Sequence, residues 1–198
     1  PDAYIPDWEG GFKQNALRKP DGSLYGQYEK PPGDPSPYDY SFYLMCSAAK
    51  GWQDYLHHYV VDKYIGDYGV DAMYIDQVGA ADASPCYCRE HGHEEIGAWG
   101  RGHLENFRRI RADGRAHEPE LALATEGLVD IYGQYVDIFL ICPVASRRWP
   151  DVAPEVIAYT LPGYICFDGF ANGMTPGSLT GRQTVNEVFL TGQRFDIF

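Results

Sequence analysis

The sequence predicts an α/β fold, read as the later part of a (β/α)8 barrel with about five of its strands in this chain. Three observations carry that reading. Gly69-Val70-Asp71-Ala72-Met73-Tyr74-Ile75-Asp76-Gln77 reads as a buried strand that ends in a carboxylate. Fifty residues further on, Leu121-Ala122-Leu123-Ala124-Thr125-Glu126-Gly127 repeats the plan: an apolar run, an acid, a small residue. Each run follows a helix-like segment after a short link. Parallel strands are buried on both faces, so they appear as continuous apolar runs rather than alternating ones.

Taken in order, residues 1–40 are rich in Pro, Gly, Asp and Tyr, and Pro31-Pro32-Gly33-Asp34-Pro35 is their densest breaker run. They read as a long loop region. Phe42 to Cys46 follows as a short strand, and Ser47 offers a helix N-cap. From Trp52, apolar residues at 52, 55, 56, 59, 60, 64, 65 and 68 mark one helix face. Gly66 and Gly69 help to stop that helix. Strand Val70–Ile75 comes next, then a second long loop over 78–98. Trp99 to Arg115 is predicted as a helix, with Leu104, Phe107 and Ile110 turned inward. Strands are expected at Leu121–Thr125, Tyr135–Ile141, Val156–Tyr159 and Tyr164–Phe167, and a last helix at Thr180–Leu190.

A closed barrel has eight strands. The whole chain, 1–198, is therefore expected to be the C-terminal part of one barrel, with further segments of that barrel as its partner. A smaller open sheet is the alternative. The chain begins at Pro1 without Met and ends in the apolar Phe195-Asp196-Ile197-Phe198, which suggests a fragment.

The net charge of -12 argues against nucleic acid and against anionic membrane surfaces. No apolar run reaches the roughly 20 residues of a membrane span. Five cysteines, an odd number, cannot all pair within one chain, which leaves the redox compartment open. An extracellular or periplasmic place is favoured. No phosphate loop, Rossmann glycine motif or Gly-x-Ser-x-Gly elbow is present.

Acids at the ends of neighbouring barrel strands would aim into one pocket. Retaining glycosidases hold a nucleophilic carboxylate and an acid/base carboxyl about 5–5.5 Å apart, and inverting enzymes about 6.5–9.5 Å apart. Adjacent strands lie about 4.8 Å apart. Asp76 and Glu126 are thus the candidate catalytic pair, and a glycoside or oligosaccharide the candidate substrate. A lone strand-end acid can equally cap a helix or bind a loop amide. Gln77, beside Asp76, is placed to hold a sugar hydroxyl. Trp8 is a candidate stacking platform. Asp168 is a candidate third carboxylate, although Asp168-Gly169 also reads as a turn.

The loop Cys86-Tyr87-Cys88-Arg89-Glu90-His91-Gly92-His93 competes with this reading. Its two Cys and two His are zinc-type ligands, and a zinc-dependent hydrolase is one rival function. The single-residue spacings are tighter than the usual C-x2–4-C and H-x3–5-H. His91 and His93 are therefore assigned to substrate, and no metal or cofactor is expected. A carbohydrate-binding or scaffold barrel without catalysis is the other rival.

Met45-Cys46, Trp52-Gln53-Asp54-Tyr55, Tyr68 to Gln77, His91-Gly92-His93 and Thr125-Glu126-Gly127 together resemble a family of uncharacterised bacterial glycosidase-like barrel proteins. That family is distantly similar to α-amylase-type and endo-α-N-acetylgalactosaminidase-type glycoside hydrolases. The resemblance implies an Asp nucleophile after the fourth strand and a Glu acid/base after the fifth, here Asp76 and Glu126. It also implies three earlier strands with no counterpart in this chain. Ala72 stands where the family pattern has Gly, and Glu94-Glu95-Ile96-Gly97 replaces a Gly-rich run.

Overall fold

The apolar runs that end in carboxylates are strands of one parallel sheet in the computed structural model of the chain. The structure describes residues 11–37, 39–80, 84–94, 96, 98–141, 159–160, 162–163, 165–168 and 194–195. Trp8 and the helix expected at Thr180–Leu190 lie outside them. The chain divides into two units. One comprises Pro1–Gly69 and Asp82–His117, and the other Val70–Ala81 and Glu118–Phe198.

The second unit holds the parallel sheet. Two short antiparallel strands of the first unit, β1 (Gly26–Glu29) and β2 (Tyr40–Tyr43), precede it in the chain, so its members are β3 (Ala72–Ile75), β4 (Ala122–Glu126), β5 (Ile138–Ile141), β6 (Ile165–Asp168) and β7 (Arg194–Phe195). Their spatial order is their chain order, β3-β4-β5-β6-β7, and every neighbouring pair is parallel. β4 is flanked on both sides, and its Leu123, Ala124 and Thr125 are buried in succession. That is the continuous burial a central parallel strand requires. The Asp137 carboxylate accepts from Leu123 N at 3.0 Å, and Asp137 N donates to Leu123 O at 2.9 Å. This double link sets β5 against β4. Of the strand expected at Val156–Tyr159, only Tyr159 is described. It is helical with Thr160 and 87% exposed, so the strand assignment fails there.

Among its described residues, the first unit contains two helices longer than a single turn and much irregular chain. The N-terminal region is not wholly a loop. Residues 13–15 form a helical turn, and β1 pairs with β2 antiparallel, Gly26 opposite Tyr43. A Cβ on Gly26 would fall 2.1 Å from the Tyr40 ring, so only Gly fits. The strand expected at Phe42–Cys46 starts earlier and is shorter, but its last residues still pair. Leu17 N donates to Leu44 O at 2.8 Å and Cys46 N to Asn15 O at 2.9 Å. Residues 15–17 are thereby held against 44–46.

Helix α1 (Lys50–His57) begins at Ala49, not at Ser47, and has no side-chain cap. Ser47 is buried and serves another purpose: its hydroxyl donates to Trp99 O at 2.8 Å. Asn106 and Gln53 amides both donate to Ser47 O. From His58 to Asp67 the helix widens to i→i+5 bonding. A wider turn shifts the facing positions. Val60, Val61 and Ile65 are the buried residues there, while Tyr59, Tyr64 and Tyr68 stand exposed. The tyrosines assigned to the inward face instead form a ladder, Trp52-Tyr55-Tyr59-Tyr64-Tyr68, with ring centroids 4.9–6.2 Å apart.

Helix α2 (Trp99–His117) buries Phe107 and Ile110. It is tied to α1 by Arg109–Asp54 at 3.1 Å and His57–Asp113 at 2.7 Å. Gly102 lies directly on Ser47: an added Cβ would come within 2.5 Å of Ser47 C and Oγ. Gly102→Ala should destabilise the protein by about 1–3 kcal/mol, the range for overpacking a close contact. Urea unfolding of the variant measures it, and an unchanged midpoint would contradict the close approach.

His103 is buried beside Trp99, and burial pulls its imidazole from 6.5 to about 4. In the unfolded chain the ring takes up a proton below about pH 6.5; in the folded chain it does so only near pH 4. Its contribution is therefore full above pH 6.5 and is lost as pH falls toward 4. His103→Leu should flatten part of the stability decline between those values. Denaturant midpoints at stepped pH test this, and an equally steep decline in the variant would refute it.

Candidate functional site

Two sets of chemically capable side chains emerge, one in each unit. In the sheet unit, Ile75 on β3 is in register with Thr125 on β4. Asp76 and Glu126 are the next residues along, side by side at the C-terminal ends of adjacent parallel strands. Asp76 is exposed and Glu126 half-buried. The buried Thr125 hydroxyl donates to Ile75 O at 2.8 Å, which adds a side-chain tie to the ladder one residue before the two acids. Asp168 is the last residue of β6, opposite Ile141 of β5. Its backbone is strand; Gly169, the second residue of the Asp-Gly turn read from sequence, lies outside the described residues. Three acids thus occupy the C-terminal ends of β3, β4 and β6.

The turns beyond these strands are held in a narrow geometry. Gln77 has φ 62°, a left-handed conformation uncommon outside Gly, and it reverses the chain directly after Asp76. The next turn then meets the one after β4 backbone to backbone. A Cβ on Gly79 would lie 2.5 Å from the carbonyl oxygens of Glu126 and Gly127, and one on Gly127 would lie 2.4 Å from Gly79 C. Gly127 also has φ 78°, and its N–H donates to Leu140 O at 2.7 Å. Gly79, three residues after Asp76, and Gly127, directly after Glu126, are what let the two acid-bearing turns touch.

In the other unit, Cys46, Cys86, His91 and His93 converge, with all their ligand atoms within 4.8 Å of one another. The pairing of residues 15–17 with 44–46 sets Gln14 beside Cys46. Tyr87 N donates to Arg18 O at 2.9 Å and Cys86 N to Ile96 O at 3.1 Å, which bring the second loop to the same segment. Gly92, at φ 80°, supplies the left-handed step between the two histidines. His91 Nε2 lies 2.7 Å from Gln14 O, and its Nδ1 lies 3.3 Å from Cys86 Sγ. A carbonyl oxygen only accepts, so Nε2 carries the proton and Nδ1 presents its lone pair to the cluster. Burial lowers the His91 pKa and keeps the ring neutral. Both His93 ring nitrogens are buried without a hydrogen-bond partner. Burial pushes the Cys46 thiol up to about 12, and the Cys86 sulfur beside it adds to the rise.

This arrangement revises the sequence assignment. His91 has both nitrogens engaged and His93 has both buried, so neither presents a free, solvent-facing nitrogen to a substrate. Cys88 is not in the set; it packs against the small core of Leu17, Cys46, Ala49 and Cys86. Cys46, read from sequence as the last residue of a short strand, takes its place. The only sequence cue was that Cys46 belongs to the same motif series as His91-Gly92-His93. Trp8 lies outside the described residues.

Residues 11–160 match the family described as Domain of unknown function (DUF6259). A Bacteroides thetaiotaomicron protein named "Putative glycoside hydrolase" is 26% identical over 148 residues. The match covers 72% of this chain and 20% of that relative. The chain thus spans about a fifth of the length of the curated relative it matches.

The Gly79–Gly127 contact predicts a local effect at the acid pair. Gly127→Ala must take up both the positive φ and the overlap with Gly79. It should lower the unfolding midpoint by about 1–3 kcal/mol in stability, and Gly79→Ala should do the same. Full retention of stability in both variants would mean that the two turns do not touch.

Proposed function

The chain belongs to the DUF6259 family, and from that premise we propose that it forms part of a retaining O-glycoside hydrolase with Asp76 as nucleophile and Glu126 as general acid/base. The observation that carries the proposal is the register of β3 and β4, which sets the two acids side by side at the C-terminal ends of adjacent parallel strands. Strands about 4.8 Å apart suit the short carboxyl separation of a retaining pair better than the wider inverting one. The name of the Bacteroides relative points to the same reaction class.

The sheet topology supports a barrel. Doubly wound sheets reverse their strand order at a switch point. Here five strands run in chain order with no reversal among the described residues. A (β/α)8 barrel repeats that order throughout and places its active site at the strand C-termini. Three further strands would complete the eight.

Asp76 attacks the anomeric carbon while Glu126 protonates the departing glycosidic oxygen. The resulting glycosyl ester on Asp76 is then hydrolysed by water, from which Glu126 takes a proton. Gln77 and Asp168 hold substrate hydroxyls, Gln77 from the turn beside the nucleophile and Asp168 from the end of β6. Gln77's left-handed backbone is strain of the kind that persists at ligand sites.

The test is kinetic, on the full-length gene product. Asp76→Asn should abolish hydrolysis of all glycosides. Glu126→Gln should slow substrates with poor leaving groups by about 10²–10⁴-fold, the usual contribution of a general acid. It should spare activated aryl glycosides, whose leaving groups need little protonation. Equal loss on both substrate types would remove Glu126 from the acid role. Sugar binding without turnover of any glycoside would leave a carbohydrate-binding barrel as the function.

A further inference from the structure

We propose that Cys46, Cys86, His91 and His93 form a closed, structural zinc site that fastens the long 84–96 loop to the N-terminal segment and to the start of α1. Two thiols and two imidazoles are a common zinc donor set. A tetrahedron with Zn–S of about 2.3 Å and Zn–N of about 2.0–2.1 Å has edges of about 3.3–3.8 Å. The four ligand atoms already lie within 4.8 Å of one another, and the Cys86 Sγ–His91 Nδ1 edge is 3.3 Å.

Two independent features point to an ion rather than to packing. The first is His93, whose two buried nitrogens have no partner. A buried polar group without a partner is costly, and an ion is one of the few things that satisfies it. The second is His91. Metal-bound imidazoles generally donate their other N–H to a carboxylate or a carbonyl, which fixes ring and tautomer. The Gln14 carbonyl does this here at 2.7 Å.

The charges balance. Cys46 and Cys86 bind as thiolates and release two protons to solvent, while both imidazoles bind neutral. Two thiolates and one Zn²⁺ sum to zero, which suits a buried site. Four protein ligands leave no open position for water, so the ion holds structure and performs no hydrolysis. His93 also borders a cavity of about 300 Å3 that Glu94 and Glu105 help to line.

The function of the clamp follows from what it joins. Its ligands come from residues far apart in a unit with little regular structure outside its helices. A bound ion adds its binding free energy to the small apolar core of Leu17, Cys46, Ala49 and Cys86 that already joins these segments.

The experiment uses the full chain expressed in zinc-supplemented medium. Metal analysis should find one zinc per chain. Replacement by Co²⁺ should give the visible absorption of a tetrahedral ion and a thiolate-to-cobalt band. Cys46→Ser and His93→Gln should lose the zinc, whereas Cys88→Ser should keep it. A strong chelator should lower the melting temperature of the wild type. If Cys46→Ser does not fold, the cobalt spectra of wild type and Cys88→Ser still decide the matter. Zinc at background level in wild type would overturn the proposal. So would loss of zinc in Cys88→Ser, or a Cys46–Cys86 disulfide in the isolated protein.

Discussion

The register between β3 and β4 is the constraint on which the proposed chemistry depends. Four backbone pairs, Ala72↔Ala122 to Ile75↔Thr125, fix which residue ends up beside which. A slip of one residue would turn every side chain of a strand to the opposite face. It would also part Asp76 from Glu126. The ladder is reinforced where this matters most. The Thr125 hydroxyl bridges to Ile75 O next to the acids, and Gly79 and Gly127 meet just beyond them. Each contact uses a residue chosen for size or hydrogen bonding rather than for apolar burial.

The helical unit relies on a different principle. Its order comes from short backbone links between loops: residues 15–17 to 44–46, residue 18 to 87, residue 86 to 96. Ser47 concentrates several of them. Its hydroxyl engages Trp99, its carbonyl takes two side-chain amides, and Gly102 rests on its backbone. The chain leading out of Cys46 is thus tied directly to α2. Placement of a sulfur and placement of a helix become one structural event, and a bound ion would consolidate both.

The widening of α1 shows how a local irregularity redistributes surface. Past His58 the i→i+5 turns keep Val60, Val61 and Ile65 buried and turn a run of tyrosines outward. An unbroken 3.6-residue period would not separate the aliphatic and aromatic residues in this way. Past His58 the core face of the helix is therefore aliphatic and its exposed face aromatic.

Much of the architecture was determined by the sequence alone, because the signals are local. The apolar runs at 70–75, 121–125 and 135–141 each hold a strand, at Ala72–Ile75, Ala122–Glu126 and Ile138–Ile141, and the period over 99–115 is a helix. The acids at positions 76 and 126 do end neighbouring parallel strands, since short links and continuous apolar runs admit little else. Tertiary structure decided the rest. Pairing with β5 makes Asp168 the last residue of β6, a long-range contact that its local Asp-Gly context does not signal. The rival zinc reading grouped Cys88 with Cys86, His91 and His93 because spacing rules count along the chain, whereas the cluster in space contains Cys46. Cys88 is near His91 in sequence; Cys46 is near it in space. The pairing of two distant loop segments makes that difference, and each hydrogen bond that creates it joins residues whose separation along the chain carries no period to read.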